Sequence, residues 1–286
     1  MLKLDEKKIR KGKPLGLPYV GSKKKISKKI VEIIKQNFGT DKTVYDLFGG
    51  GGAITSELII NGVDVIYNDL DKTITDMFNR VLSQDREWIK TLIVSRDEFF
   101  TIRDKENKTV DDELKLFVNS FGNNGRSYIY SENYSDIKYS IAVEIIKKDN
   151  VFSGYKQTKT YQKNSYKNID NNDRLQQLQR LEQLERLPKT INKDYKYFSN
   201  VKDSVLYLDP PYENSDTSSY KSKIDYQEFY DWTYEMSKNN IVLLSSYEVS
   251  DDRFECVYEF KTARSTRAGG IRGNRTEKLF MVKGSD

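Results

Sequence analysis

Four consecutive glycines, Gly49–Gly52, separate a short apolar run from a helical one, and they constrain the fold more than any other segment. Thr43–Phe48 reads as a buried strand entering the glycines, and Ala53–Ile60 reads as a helix leaving them. The turn Asn61-Gly62 then leads into a second strand, Val63–Tyr67, which finishes at Asn68-Asp69. Strand, glycine turn, helix and strand make a βαβ unit, and such a crossover requires its two strands to lie parallel. The expected fold class is therefore α/β, built on a parallel sheet.

The flanking pattern extends this reading. Apolar residues at 26, 30, 33, 34 and 38 predict a helix that Gly39 closes. Further strands are predicted at Val205–Leu208, Ile241–Ser245, Glu255–Phe260 and Lys278–Val282, with a helix over Tyr226–Ser237. Between the two ends the character changes. Residues 71–118 are largely helical by pattern, and residues 119–172 are rich in Asn, Lys, Ser and Tyr. Short strands are predicted there near Ser127–Tyr130 and Ile141–Ile146. A helix capped by Asn172 or Asp173 is predicted to run to Pro188, with Leu175, Leu178, Leu181, Leu184 and Leu187 as its packing stripe. The expectation is one α/β domain from residues 1–75 and 200–286, interrupted by an insertion over 76–199.

Composition excludes several chemistries. The chain has no histidine in 286 residues and a single cysteine, Cys256. A Ser/His/Asp or Cys/His triad, an imidazole base and a His-ligated metal are thereby ruled out. One cysteine permits neither an internal disulfide nor a thiolate zinc cluster, and fits a reducing compartment. No metal centre is expected. Apolar runs such as Ile241–Leu244 fall far short of the roughly 18 residues of a membrane span. The charged N-terminus lacks an apolar signal core, so a soluble intracellular protein is expected. The net charge of +5 conceals basic ends and a basic 123–200 segment, alternating with acidic 41–122 and 201–260 segments. Basic segments converging on one face would make a nucleic-acid footprint, while solvated lysine-rich tails would give the same count.

Two motifs carry chemistry. The glycine loop lets a ligand approach the backbone, but its third dinucleotide-fingerprint position is filled by Ile54 or Thr55, and Gly-Lys-Ser/Thr is absent. It suits a nucleoside cofactor without a pyrophosphate, with Asp69 placed to accept hydrogen bonds from ribose hydroxyls. An ordinary tight βα turn and a strand-end aspartate account for the same residues. The second motif is Leu208-Asp209-Pro210-Pro211-Tyr212, directly after a strand. Two prolines fix φ and remove two N–H donors, leaving carbonyls and one carboxylate beside an aromatic ring. Acceptors next to a flat stacking surface suit the exocyclic amine of a planar base. The alternative is a proline-stiffened loop with a core tyrosine.

With these motifs in this order, the chain resembles the Dam-like (D12 class, alpha group) adenine-specific DNA N6-methyltransferases, whose signature is Asp-Pro-Pro-Tyr. Tyr19-Val20-Gly21-Ser22-Lys23 is similar to the family's N-terminal cofactor motif, and Asp46 to Gly52 to its Phe-x-Gly-x-Gly loop. Asn119 to Arg126 is similar to the segment that opens its target-recognition region, and Arg264 to Glu277 to its C-terminal DNA-side loop. Leu47 replaces the usual proline, and the family's pattern is lost after Arg126. The resemblance implies a Rossmann-like class I S-adenosylmethionine-dependent methyltransferase sheet with an inserted, mainly helical target-recognition domain. It implies S-adenosylmethionine as cofactor, held by Tyr19, Lys23, Asp46, Phe48, Gly50, Gly52, Asp69 and Asp209. Catalysis falls to Asp209, Pro210, Pro211 and Tyr212, and DNA contact to Asn124, Arg126, Arg264, Arg267, Arg272 and Arg275.

The reaction so implied is site-specific methylation of N6 of a flipped adenine in double-stranded DNA, by a monomer or weak dimer. The setting would be cytoplasmic, at a bacterial nucleoid or in a phage-infected cell, with any cognate restriction endonuclease acting separately. The competing expectations are another amino-methyltransferase, acting on cytosine N4 or RNA, and a catalytically silent DNA-binding relative.

Overall fold

The computed structural model of the chain describes residues 1–18, 22–148, 169–213, 224–264 and 276–284. A helix, α1 (Ser27–Phe38), buries Ile30, Val31, Ile33 and Ile34, and ends where Gly39 turns the backbone to φ +83°. It leads to β1 (Val44–Asp46), the glycines, α2 (Ala53–Ile60) and β2 (Val65–Asn68). The expected βαβ unit is present, and β1 pairs parallel to β2 through Val44 opposite Val65. Helix α2 is buried from Ala53 through Ile59, which explains why it lacks a polar face. Its interior Glu57 is held by Arg10 through two bonds of 2.7 and 2.9 Å.

Five more strands complete the sheet: β3 (Lys189–Ile191), β4 (Val205–Leu208), β5 (Ile241–Ser246), β6 (Phe254–Arg264) and β7 (Thr276–Val282). Their order is β3-β2-β1-β4-β5-β7-β6, with β7 antiparallel to both of its neighbours and every other pairing parallel. A core of Leu206, Leu208, Phe229, Val242, Leu244 and Phe280, among others, packs on this sheet. Strand β4 is buried on both faces, as its unbroken Val-Leu-Tyr-Leu run requires.

The chain divides into two compact units, one of Met1–Pro14, Lys23–Thr75 and Arg186–Asp286, the other of Leu15–Ser22 and Asp76–Glu185. The first holds the whole sheet. Helix α3 (Lys72–Leu82) leads into the second, which is helical, with α4 (Arg86–Lys90), α5 (Arg96–Arg103), α6 (Val110–Asn119), α7 (Glu132–Lys148) and α8 (Asp170–Gln179). Its core joins Val94, Phe99, Ile102, Leu116, Tyr128 and Tyr130. Thr109 and Asp112 form a capping box that starts α6. Arg174 caps the other end, donating to the carbonyls of Val118 (2.6 Å) and Ser120 (2.7 Å).

Three expectations for this region need correction. Ile141–Ile146 is no strand but part of α7, whose buried Ile141, Ala142, Ile145 and Ile146 make one helical face. A short apolar run has the same appearance in either element. Ser127–Tyr130 forms only an isolated antiparallel bridge, Tyr128 to Ser120. Helix α8 gives way to a 3-10 turn at Arg180–Gln183 rather than reaching Pro188. Leu175, Leu178 and Leu181 are buried as a packing stripe, whereas Leu187 is exposed.

Candidate active site

The strand order reverses between β1 and β4, and open α/β sheets bind ligands beyond the carboxyl ends of their strands at that point. The glycine loop follows β1 and Asp209-Pro210-Pro211-Tyr212 follows β4, so topology alone makes the two motifs neighbours. A helix, α9 (Tyr226–Ser237), follows the second motif in the chain.

Each glycine in the loop has its own reason. A Cβ on Gly49 would lie 2.3 Å from Cε2 of the fully buried Tyr67 ring, so no other residue fits there. The Tyr67 hydroxyl in turn donates to the Gly50 carbonyl at 2.7 Å. Gly50 has φ +47°, and Gly52 is left-handed at φ +69° immediately before α2.

Two carboxylates border the loop. Asp46, 1% exposed at the end of β1, accepts the Thr55 hydroxyl (2.7 Å) and backbone N–H (3.1 Å) through Oδ2. Its Oδ1 is buried with no hydrogen-bond partner. Burial pushes the Asp46 carboxyl up to about 7 against the pull of the Thr55 hydroxyl, with the Asp209 charge adding to the rise. Asp69, just past β2, accepts the Gly50 N–H and the Asp71 N–H, each at 2.8 Å. Asn68 ties three strand ends together. Its amide donates to the carbonyls of Leu47 (2.9 Å) and Lys193 (3.0 Å) and accepts the Lys193 N–H (2.9 Å). Asn192 donates to the Asp69 and Leu70 carbonyls at 2.6 and 3.1 Å.

Beyond β4 lies a compact charge cluster. The Lys23 ammonium sits 2.7 Å from Asp209 Oδ1 and 3.6 Å from Glu277 Oε1. Their side chains are 8%, 15% and 12% exposed. The Tyr212 hydroxyl donates to Glu277 Oε2 at 2.5 Å. Lys23 also lies 4.8 Å from the centre of the Tyr212 ring, which meets Tyr247 edge to face at 4.6 Å. Burial raises the Asp209 carboxyl to about 6, the Lys23 charge opposing and the Glu277 charge reinforcing the shift. Burial also drives the Tyr212 phenol far up, so its hydroxyl remains a donor.

The loop is anchored from below. Tyr226 donates to the Pro211 carbonyl, and Glu213 accepts the Tyr230 hydroxyl (2.9 Å) and the Ser250 hydroxyl (2.8 Å). Among the described residues, none donates to the Pro210 carbonyl.

The family model for D12 class N6 adenine-specific DNA methyltransferases matches residues 19–266, which takes in both motifs and the helical unit between them. The chain belongs to this family. It is also similar to two solved structures that bear the names methylase and methyltransferase. The first is HI0767 from Haemophilus influenzae, at 10% identity and TM-score 0.34, over 90% of this chain and 95% of that one. The second is yhhF from Escherichia coli, at 9% identity and TM-score 0.35, over 92% and 89%. No curated protein matches the sequence.

In this adenine-specific DNA methyltransferase, the structure brings Lys23, Asp209 and Tyr212 together, with Gly50, Gly52, Asp46 and Asp69 around the neighbouring loop. Phe48 is half-buried and packs on Tyr195 and Phe229. Asn124 and Arg126 are exposed on the helical unit, where the Asn124 side chain accepts the Arg126 N–H at 2.8 Å. The backbone of Arg264 ends β6. Tyr19, Arg267, Arg272 and Arg275 lie outside the described residues. Glu277 was not expected in the site. Its signal was available: it is the one acidic residue between Lys261 and Gly284.

Proposed function

We propose that this D12 methyltransferase takes its methyl group from S-adenosylmethionine and transfers it, at Asp209–Tyr212, to an adenine turned out of double-stranded DNA. The observation that carries this reading is the meeting of a carboxylate, a proline carbonyl to which none of the described residues donates and an anchored aromatic ring at the switch point, beside the glycine loop.

The residues fit the cofactor. Among the described residues, Asp46, Asp69, Asp209 and Glu277 outnumber Lys23, an excess of acidic groups that complements a cationic sulfonium nucleoside rather than a pyrophosphate. The buried Asp46 Oδ1 lacks a donor and can accept one from a ligand. Asp69, oriented by two backbone N–H groups, is the proposed acceptor for ribose hydroxyls. When bound, S-adenosylmethionine supplies a methyl group on positively charged sulfur. Gly50, Gly52 and Phe48 would border it, and Lys23 and Tyr19 are assigned to it by family resemblance.

The chain's own part is to prepare the nucleophile. An adenine amino group is unreactive because its lone pair is delocalised into the ring. Asp209 and the Pro210 carbonyl, accepting its two N–H bonds, favour a more tetrahedral nitrogen with a directed lone pair. Alignment then supplies much of the rate. The proton leaves to Asp209 or to water. Extracting the base costs a few kcal/mol, and stacking on Tyr212 returns about 1–3 kcal/mol. Asn124, Arg126, Arg264, Arg267, Arg272 and Arg275 are the proposed DNA contacts, with the guanidinium groups meeting phosphates. The setting is the cytoplasm, where duplex DNA is the partner.

The test is Asp209→Ala, assayed with a tritiated methyl donor on duplex DNA. Transfer should be abolished while calorimetric binding of S-adenosylmethionine persists. Turnover at the wild-type rate would overturn the assignment.

A further inference from the structure

We propose that Glu277 is a positioning residue for methyl transfer, holding the Tyr212 ring and the Lys23 ammonium in register with the Asp209 carboxylate. The inference rests on the assignment of Asp209–Tyr212 as the transfer motif. Glu277 lies one residue before Lys278, which pairs with Ser246 at the end of β5, so the strand register brings its carboxylate to the ligand edge of the sheet. A carboxylate 12% exposed is costly to place there unless it is bonded. Among the described residues, its polar contacts lead to the motif or its neighbours: the Tyr212 hydroxyl at 2.5 Å, the Ser245 hydroxyl at 3.4 Å and the Lys23 ammonium at 3.6 Å.

These contacts do two things. Fixing the Tyr212 hydroxyl anchors the far end of the ring, and Tyr247 and Lys23 limit its rotation. The stacking surface is thus set before a base arrives, which removes an ordering cost from binding. Sharing Lys23 between two carboxylates also keeps the ammonium from neutralising Asp209 alone. Asp209 therefore stays a strong acceptor once ionised. Among the described residues, the groups facing Asp209 include Lys23, Tyr212, Glu277, Tyr207 on β4 and Asp46 on β1. Among them Glu277 is the nearest carboxylate in effect, raising the Asp209 carboxyl more than any other charge does.

The experiment compares Glu277→Gln, which keeps the shape and an acceptor, with Glu277→Ala, each alone and combined with Tyr212→Phe. The Asp209 carboxyl is titrated by carbon-13 NMR in the cofactor-free protein, assigned through Asp209→Asn. Glu277→Gln should lower its titration midpoint by roughly half a pH unit or more, because a like charge is gone. The acid limb of kcat/KM should follow. Glu277→Ala should reduce kcat/KM at least tenfold, with Glu277→Gln recovering part of it. In the Tyr212→Phe background the difference between Gln and Ala should vanish. An unmoved Asp209 titration in folded Glu277→Gln, or equal rate losses with and without the Tyr212 hydroxyl, would overturn the proposal. If Asp209→Ala is inactive while both Glu277 variants behave as wild type, only this inference fails. If Asp209→Ala is active, the underlying motif assignment fails.

Discussion

Replacing Gly49 with alanine tests whether the glycine loop is shaped by its own packing. The added methyl would stand 2.3 and 2.4 Å from Cε2 and Cδ2 of Tyr67, and 3.3 Å from the Asn68 carbonyl. Carbon atoms settle at about 3.5–4.0 Å, so the ring must retreat by more than about 1 Å. It has nowhere to go, since Tyr67 is fully buried and tied to the Gly50 carbonyl. Overpacking of this kind costs about 1–3 kcal/mol. Loss of the hydroxyl bond adds about 1 kcal/mol, and for a chain of this length the two together lower Tm by roughly 3–7 °C. Calorimetric binding of S-adenosylmethionine should weaken in parallel, because moving Gly50 moves the partner of Asp69. Shrinking the obstacle with Tyr67→Leu should relieve the clash, so the double variant should show a coupling energy of about 1–3 kcal/mol in a thermodynamic cycle. A Gly49→Ala protein with unchanged Tm, or one whose penalty is the same in the Tyr67→Leu background, would refute this reasoning.

Other consequences follow from individual contacts. Arg10→Ala leaves the Glu57 carboxylate, whose side chain is 0% exposed, without its charge partner, and should cost about 3–5 kcal/mol in urea denaturation. Thr55→Val removes the hydroxyl that holds Asp46 down, so the Asp46 titration, followed by carbon-13 NMR, should move above its wild-type midpoint near 7. Asp46 and Asp209 titrate near 7 and 6, above the ordinary aspartate value of 3.8. The native state therefore keeps protons that the unfolded chain has released. Their contribution to stability is full below about pH 3.8 and is lost as pH rises through 6 and 7. Asp46→Asn should flatten the fall in unfolding free energy over that window, and an unaltered slope would contradict the assignment.

What the sequence made legible was what local chemistry bounds. Helix α2 and strand β4 were readable to the residue because glycines and prolines punctuate them, and α9 was readable in place, with its Asp225 cap, whose side chain accepts the Glu228 N–H, shown by the structure. Strand β3 was not readable. Its Lys-Thr-Ile has no apolar pattern of its own, and only pairing beside β2 makes it a strand. The same limit applied to α7, where a six-residue window suited strand and helix alike. Within the site, the glycine loop and Asp209–Tyr212 were visible as motifs, whereas their sharing of Lys23 with Glu277 depends on residues more than 60 positions apart meeting across β5 and β7. Asn68 and Asn192, which bind strand ends together, were hidden for the same reason.

Asp209 is proposed to direct a methyl group to an adenine amine. The direct measurement is nucleoside mass spectrometry of duplex DNA incubated with S-adenosylmethionine carrying a deuterated methyl group, using wild type and Asp209→Ala. Labelled N6-methyladenine is expected with wild type and none with Asp209→Ala. Label appearing on cytosine, or on adenine without Asp209, would contradict it.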